Sequence, residues 1–218
     1  MSIVSPVTSS THLLAFVLMA FAFVAVPGPS VVFVVSRALV LGRRGALATV
    51  VGNAAGVYVQ VVAVSIGLGA LVERSIVAFT ILKFGGAAYL AYLGVQAIRH
   101  RRDLSQRPGV DVEVPRMLRA VRDGFIVGVA NPKAVVYFAA VLPQFVDPAG
   151  IHPSLQMLVL GAICVAIALI SDGVWAVSAS AARAWFARSP RRLERIGAVG
   201  GVAMIGIGAR LAVSGRPD

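Results

Sequence analysis

The sequence predicts an all-α integral membrane protein of six transmembrane helices, built as two inverted three-helix repeats with the first and fourth helices broken. Three observations predict it. The 218 residues are 58% hydrophobic and only 13% charged, with a mean hydropathy of +0.87, more apolar surface than a soluble domain of this size can hide. The apolar residues fall into six runs. Two of those runs carry proline interruptions at matching places about a hundred residues apart, Val26-Pro27-Gly28-Pro29-Ser30 and Ala130-Asn131-Pro132-Lys133.

The runs are 13–36, 45–71, 76–98, 123–143, 155–181 and 196–213. Each holds the ~17–25 residues that a spanning helix needs. In the first and fourth, proline removes a backbone donor and its ring clashes with the preceding turn, so the helix breaks. A break at membrane depth is tolerated only against other protein or a wet cavity. Paired interruptions in two halves are the best pointer in a sequence to a transporter's binding site. Three spans per half is odd, so related halves must be inverted. The chain, 1–218, then reads as one transmembrane domain. Repeat one is about 12–98, a basic loop about 99–122, and repeat two about 123–213.

Charge sets the orientation. The net charge is +11, and fifteen of the twenty Lys and Arg lie in the connectors after runs one, three and five. Arginine-rich connectors mark the cytoplasmic side, so both termini are expected outside. Anionic lipid headgroups are the natural partners of these loops, and the longest of them, 99–122, has no Phe, Trp or Tyr among its basic residues, as a nucleic-acid surface would. Arg116, Arg119 and Arg122 fall three apart, which suits either a short interfacial helix leading into the fourth run or an irregular loop. The N-terminus lacks the basic start of a secretory signal, so run one is read as a retained span.

Few polar residues lie within the runs. Asp172 is the one carboxylate deep in an apolar run, and Asp123 sits at a run's end. An acid in the membrane defaults to a functional reading: Asp172 binds a proton or a substrate ammonium, or else pairs structurally with Lys133 or an arginine. Lys133 is expected to pair with Asp172 or to meet a substrate carboxylate. Asn131 precedes Pro132 as a cap precedes the first helical turn. Counted from the cytoplasmic ends, Gly28, Asn53, Asn131 and Asp172 share a depth of roughly 12–13 Å. A polar ring around a cavity is expected there, lined by the two breaks and Asn53, with Tyr58, Tyr137 and Trp175 as further candidates. Gly52 and Gly56, like Gly197 and Gly201, have the four-residue spacing that lets helices approach closely. His12, His100 and His152 are scattered, so no metal is expected. The lone cysteine, Cys164, excludes paired-thiol chemistry. No nucleophile–base set or phosphate loop points to an enzyme or a cofactor.

Pro27-Gly28-Pro29, together with Asn131-Pro132-Lys133 running on through Ala134 to Pro143-Gln144-Phe145-Val146, resembles the LysE/RhtB family of amino-acid exporters. The resemblance covers nearly the whole chain. It implies proton-driven export of amino acids across a bacterial inner membrane, by a protein that is often a homodimer. Exporters of lysine and arginine in that family carry an acid in the second span, near Gly56. Here the span has Asn53 and no acid. A small neutral substrate is therefore expected: threonine, homoserine, homoserine lactone or a branched-chain amino acid. Pro27, Gly28, Pro29, Asn53, Asn131, Pro132 and Lys133 are the expected substrate contacts, and Asp172 the proton-coupling or ammonium-binding group. The alternatives are a divalent-cation exporter, disfavoured because hard cations want several carboxylates, and a membrane scaffold without transport.

Overall fold

The computed structural model describes residues 10–67, 76–99, 114–146, 152–186 and 190–213. They form helices α1 (Ser10–Ala25), α2 (Pro29–Ser65), α3 (Ile76–Arg99), α4 (Val114–Val129), α5 (Pro132–Val141), α6 (Pro153–Phe186) and α7 (Pro190–Val213), with a 3-10 turn at Leu142–Phe145. There is no strand among the described residues. Most of the 99–122 loop, the end of the second run and the side chains of Lys83, Arg183, Arg191 and Arg192 lie outside the described set.

Both proline breaks form where the sequence places them. α1 stops at Ala25, and α2 begins at Pro29 with Gly28 extended at its N-cap. α4 stops at Val129 and α5 begins at Pro132, the pair bending by 49°. Two helices, Pro29–Ser65 and Pro153–Ala182, are long and apolar enough to cross a bilayer alone, and the bent pair makes a third. Large apolar side chains point outward over the whole bundle, with Ile170 70% and Ile81 68% exposed. Water would not tolerate such a surface, whereas lipid tails solvate it.

The connector expected after the first run is a single residue. Gly42, with φ 74°, interrupts α2, and Arg37 is still helical. A side chain is strained at this φ, which is why glycine makes the corner. Val34 and Ala38 before it share a core cluster with Ala46 and Val50 after it and with Ala176 of α6. In a straight helix Val34 and Val50 would stand about 24 Å apart, so the corner folds the arms together. The sequence reading put a loop here because it counted arginines as connectors. Of the two readings left open for Arg116, Arg119 and Arg122, the helical one holds: α4 carries all three and continues into the fourth run as one helix.

Glycine contacts join the bundle. Gly52 and Gly56 lie against the backbone of α4 at Val121, Phe125 and Val129, and Gly124 and Gly128 of α4 lie against the backbone of α2 at Thr49 and Asn53. α3 and α7 meet the same way, at Gly94 and Gly201. Gly52 and Gly56 thus do what their spacing promised. A second contact of α3 with α7 is at Gly208, beside the Ala87 carbonyl, whereas Gly206 has open space beside it.

Candidate functional site

Apolar clusters leave a polar layer between them. Phe16, Ala20, Val57, Val61, Ala134, Tyr137, Phe138, Leu142, Leu160 and Cys164 form one cluster. Phe33, Leu90, Val127 and Met204 form a second, and the Val34–Ala176 group a third. Along each helix a polar position separates one side from the other. Ser30 lies between Ala20 and Phe33, Asn53 between Val50 and Val57, Asn131 between Val127 and Ala134, and Asp172 between Cys164 and Ala176. All four of these polar side chains are buried.

The two breaks touch. Asn131 donates from Nδ2 to Ser30 Oγ at 2.9 Å, and its Oδ1 accepts from the Lys133 backbone N–H at 3.1 Å. The second contact is the cap its position predicted. Lys133 reaches across to the other break. Its Nζ donates to Phe23 O at 2.9 Å and to Val26 O at 2.6 Å, with the ammonium 4.4 Å from the Phe23 ring centroid. The carbonyl end of a helix carries partial negative charge, so the ammonium seals α1 where Pro27 cut it. Gln60 serves the other cut. Its Nε2 donates to Val129 O at 2.7 Å, a carbonyl released by the second break, and to Asn131 O at 3.0 Å, which also accepts from the Val135 N–H at the start of α5.

Asp172 and Lys133 make no direct ion pair, although each feels the other's charge. The one hydrogen bond of Asp172 is from Asn53 Nδ2 at 3.3 Å, and it has no ion-pair partner among the described residues. The expected Asp172–Lys133 pair is therefore not formed. The physical reason is competition: two released carbonyls next to Lys133 hold its ammonium. Three buried polar atoms, Asn53 Oδ1, Gln60 Oε1 and Tyr137 Oη, have no hydrogen-bond partner among the described residues. Buried unpaired groups are costly and mark a place built for something polar. Asn53 and Gln60 lie two turns apart on one face of α2, about 10 Å along the axis, so a single face runs from Asp172 to the second break. No side chain caps the first turn of α2, whereas Asn131 caps that of α5.

A cavity of about 10 Å³, the size of one water, adjoins the breaks and is lined by Pro29, Tyr89, Leu90, Val127, Ala130 and Pro132 among others. Of the predicted residues, Gly28, Pro29, Asn53, Asn131, Pro132, Lys133 and Asp172 gather in or beside this layer. Gly28 is the one against which the Lys133 stem packs, leaving 3.1 Å for any added Cβ. Pro27 is exposed at the break and faces away. Trp175 is 46% exposed and belongs to the surface, whereas Tyr137 stacks on Phe23 with centroids 3.8 Å apart. The sequence reading gave Ser30 and Gln60 no roles. A polar side chain directly after each break, or one helix face away, was the signal for them. Asn131→Ala removes both the cap and the tie to Ser30. It is expected to lower stability by ~1–2 kcal/mol, read as a melting shift of a few degrees in detergent.

A polar layer sealed inside a sheath of apolar helices, at the meeting of two broken ones, is the anatomy of a membrane transport protein. The chain belongs to the LysE type translocator family, whose model matches residues 21–215. It is similar to an uncharacterized membrane protein of Vibrio cholerae, 36% identical over 92% of this chain and 96% of that one. It is also similar to the homoserine/homoserine lactone efflux protein of Salmonella typhi, 32% identical over 85% of this chain and 88% of that one. The threonine efflux protein of Escherichia coli K12 is 32% identical over 55% of this chain and 59% of its own length. No solved structure matches. The chain is thus a membrane translocator and not an enzyme.

Proposed function

We propose that this protein exports a small neutral amino acid or a close derivative, of the threonine, homoserine, homoserine lactone or branched-chain type, across the bacterial inner membrane in exchange for protons. In this reading the helices make six spans: α1 with the first arm of α2, the second arm of α2, α3, α4 with α5, α6, and α7. They pair as two inverted three-helix repeats, 12–98 and 123–213. Both termini face outward, the arginine-rich connectors after spans one, three and five face the cytoplasm, and two copies associate as a homodimer.

The observation that carries the reading is the pairing of unlike ends in one buried layer. A free amino acid has an ammonium and a carboxylate. Among the described residues Asp172 has a single neutral donor, leaving most of its acceptor capacity for an ammonium or a proton. The uncapped first turn of α2, at Gly28, Pro29 and Ser30, offers backbone N–H groups and a positive dipole end to the carboxylate. The other half-helix start is occupied by its own Asn131 cap, so the α2 end is the better anion site. Asn53 and Gln60 supply further acceptors for a hydroxyl or amino group. Lys133 and Pro132 hold the breaks in place around the substrate. The neutral substrate class is supported by the lack of an acid in the second span, where Gly56 packs on α4, and by the efflux relatives.

Cells expressing the protein are expected to lose preloaded radiolabelled threonine or homoserine several-fold faster than control cells and to resist toxic analogues of both. A panel that also includes lysine and arginine checks the substrate class. Export of the dibasic amino acids alone would overturn it.

A further inference from the structure

We propose that Arg37, Asp123 and Tyr89 form the inner gate of the translocation path, a contact that must open to load the site from the cytoplasm. This inference rests on the transport reading above. Arg37 of α2 donates from Nη2 to Asp123 Oδ2 of α4 at 2.9 Å, and Tyr89 of α3 donates from Oη to Asp123 Oδ1 at 3.1 Å. Three helices are tied at one carboxylate. Arg37 lies nine residues past Gly28, and Asp123 eight before Asn131. The two arms of the contact are therefore about 12 and 14 Å from the breaks along their helices, on the side of the arginine-rich connectors.

The cluster closes a passage rather than filling core. Tyr89 lines the cavity beside the breaks with its ring and holds Asp123 with its hydroxyl, so one side chain is shared by cavity and ion pair. The opposite end of the polar layer is closed by the apolar cluster around Phe16, Tyr137, Phe138 and Leu142. The two ends thus differ in kind, one greasy and one ionic.

Two features mark a contact built to part. The first is incomplete pairing. Arg37 Nε is buried without a hydrogen-bond partner among the described residues, its side chain 15% exposed and its guanidinium 5.1 Å from the Phe33 ring centroid. A permanent staple would satisfy that donor. The second is a partner in waiting. Arg122 Nη2 also reaches Asp123 Oδ1, at 3.2 Å, from a side chain 67% exposed. When Arg37 withdraws, Arg122 keeps the carboxylate paired, which removes much of the penalty of breaking a buried ion pair. Two arrangements of one cluster, close in energy, are what a switching element requires.

The test uses Ala130→Cys, which puts a thiol on the cavity wall, in a Cys164→Ala background. A membrane-impermeant maleimide is added to inside-out and right-side-out vesicles. Arg37→Gln or Asp123→Asn is expected to speed labelling from the cytoplasmic face by about tenfold, the shift that ~1.4 kcal/mol of lost closed-state bias produces. Tyr89→Phe should give a smaller rise. It removes only a hydroxyl and decides the matter if the charge variants misfold. Unchanged labelling in every variant that remains monodisperse after extraction overturns the gate. So does a rise confined to the outer face. Labelling needs no substrate, so failure of the gate and failure of amino-acid export are read separately.

Discussion

Asp172→Asn is expected to abolish efflux while leaving the amount of protein in the membrane unchanged. The substitution keeps the shape and the contact with Asn53 and removes only the charge. Losing a charge-assisted contact worth ~3 kcal/mol would slow transport on the order of 100-fold. Stability separates this from a structural role. A buried carboxylate in a fixed ion pair destabilises the protein when neutralised, because its partner is left unpaired. Among the described residues Asp172 has no such ion-pair partner, only Asn53 at 3.3 Å. Neutralising it relieves a desolvated charge, so the melting temperature in detergent should hold or rise. Intact efflux together with a lower melting temperature would return Asp172 to a structural role.

Gly56→Ala is expected to be a strongly damaging single methyl, as are the like changes at Gly52, Gly124 and Gly128. A Cβ there would stand 2.2 Å from Phe125 O and 2.7 Å from Val129 N, both backbone atoms of α4. Backbone cannot rotate aside as a side chain can, so α2 and α4 must separate. Overpacking of this kind costs about 3 kcal/mol or more, and in a membrane helix pair the loss of close contact removes the main attraction. The melting temperature in detergent should fall by roughly 6–12 °C, with less protein in the membrane. Gly206→Ala, with nothing within 4 Å, is the control and should leave both unchanged. Equal behaviour of the two variants would mean that the α2–α4 contact does not hold the bundle.

Local chemistry was legible in the sequence wherever one residue type forces one outcome. Pro27, Pro29 and Pro132 dictated the breaks, and Asn131 before Pro132 dictated a cap, because backbone geometry leaves little choice. The burial of Asn53, Asn131 and Asp172 was also readable, since each is a polar residue inside an apolar run. Partner choice was not. Lys133 chose the severed end of α1 over Asp172 because two carbonyls stand nearer, and no spacing in the sequence encodes that competition. Arginines were read as connector residues by their charge, so the corner at Gly42 was missed, and the spacing of Arg116, Arg119 and Arg122 left helix and loop undecided where α4 begins. For the same reason Arg37 and Asp123 were assigned to boundaries and not to each other. Their near-equal distance from the two breaks was the available clue.

The grip of Lys133 on Val26 spans 107 positions of sequence. A ribosome adding ~5–20 residues per second delivers that ammonium roughly 5–20 s after the first helix has left the exit tunnel. Until then the severed end of α1 has no protein cation to sit on. The N-terminal helix must wait, its bare carbonyls held by headgroup water or the insertion machinery, before the nascent chain supplies its own lock.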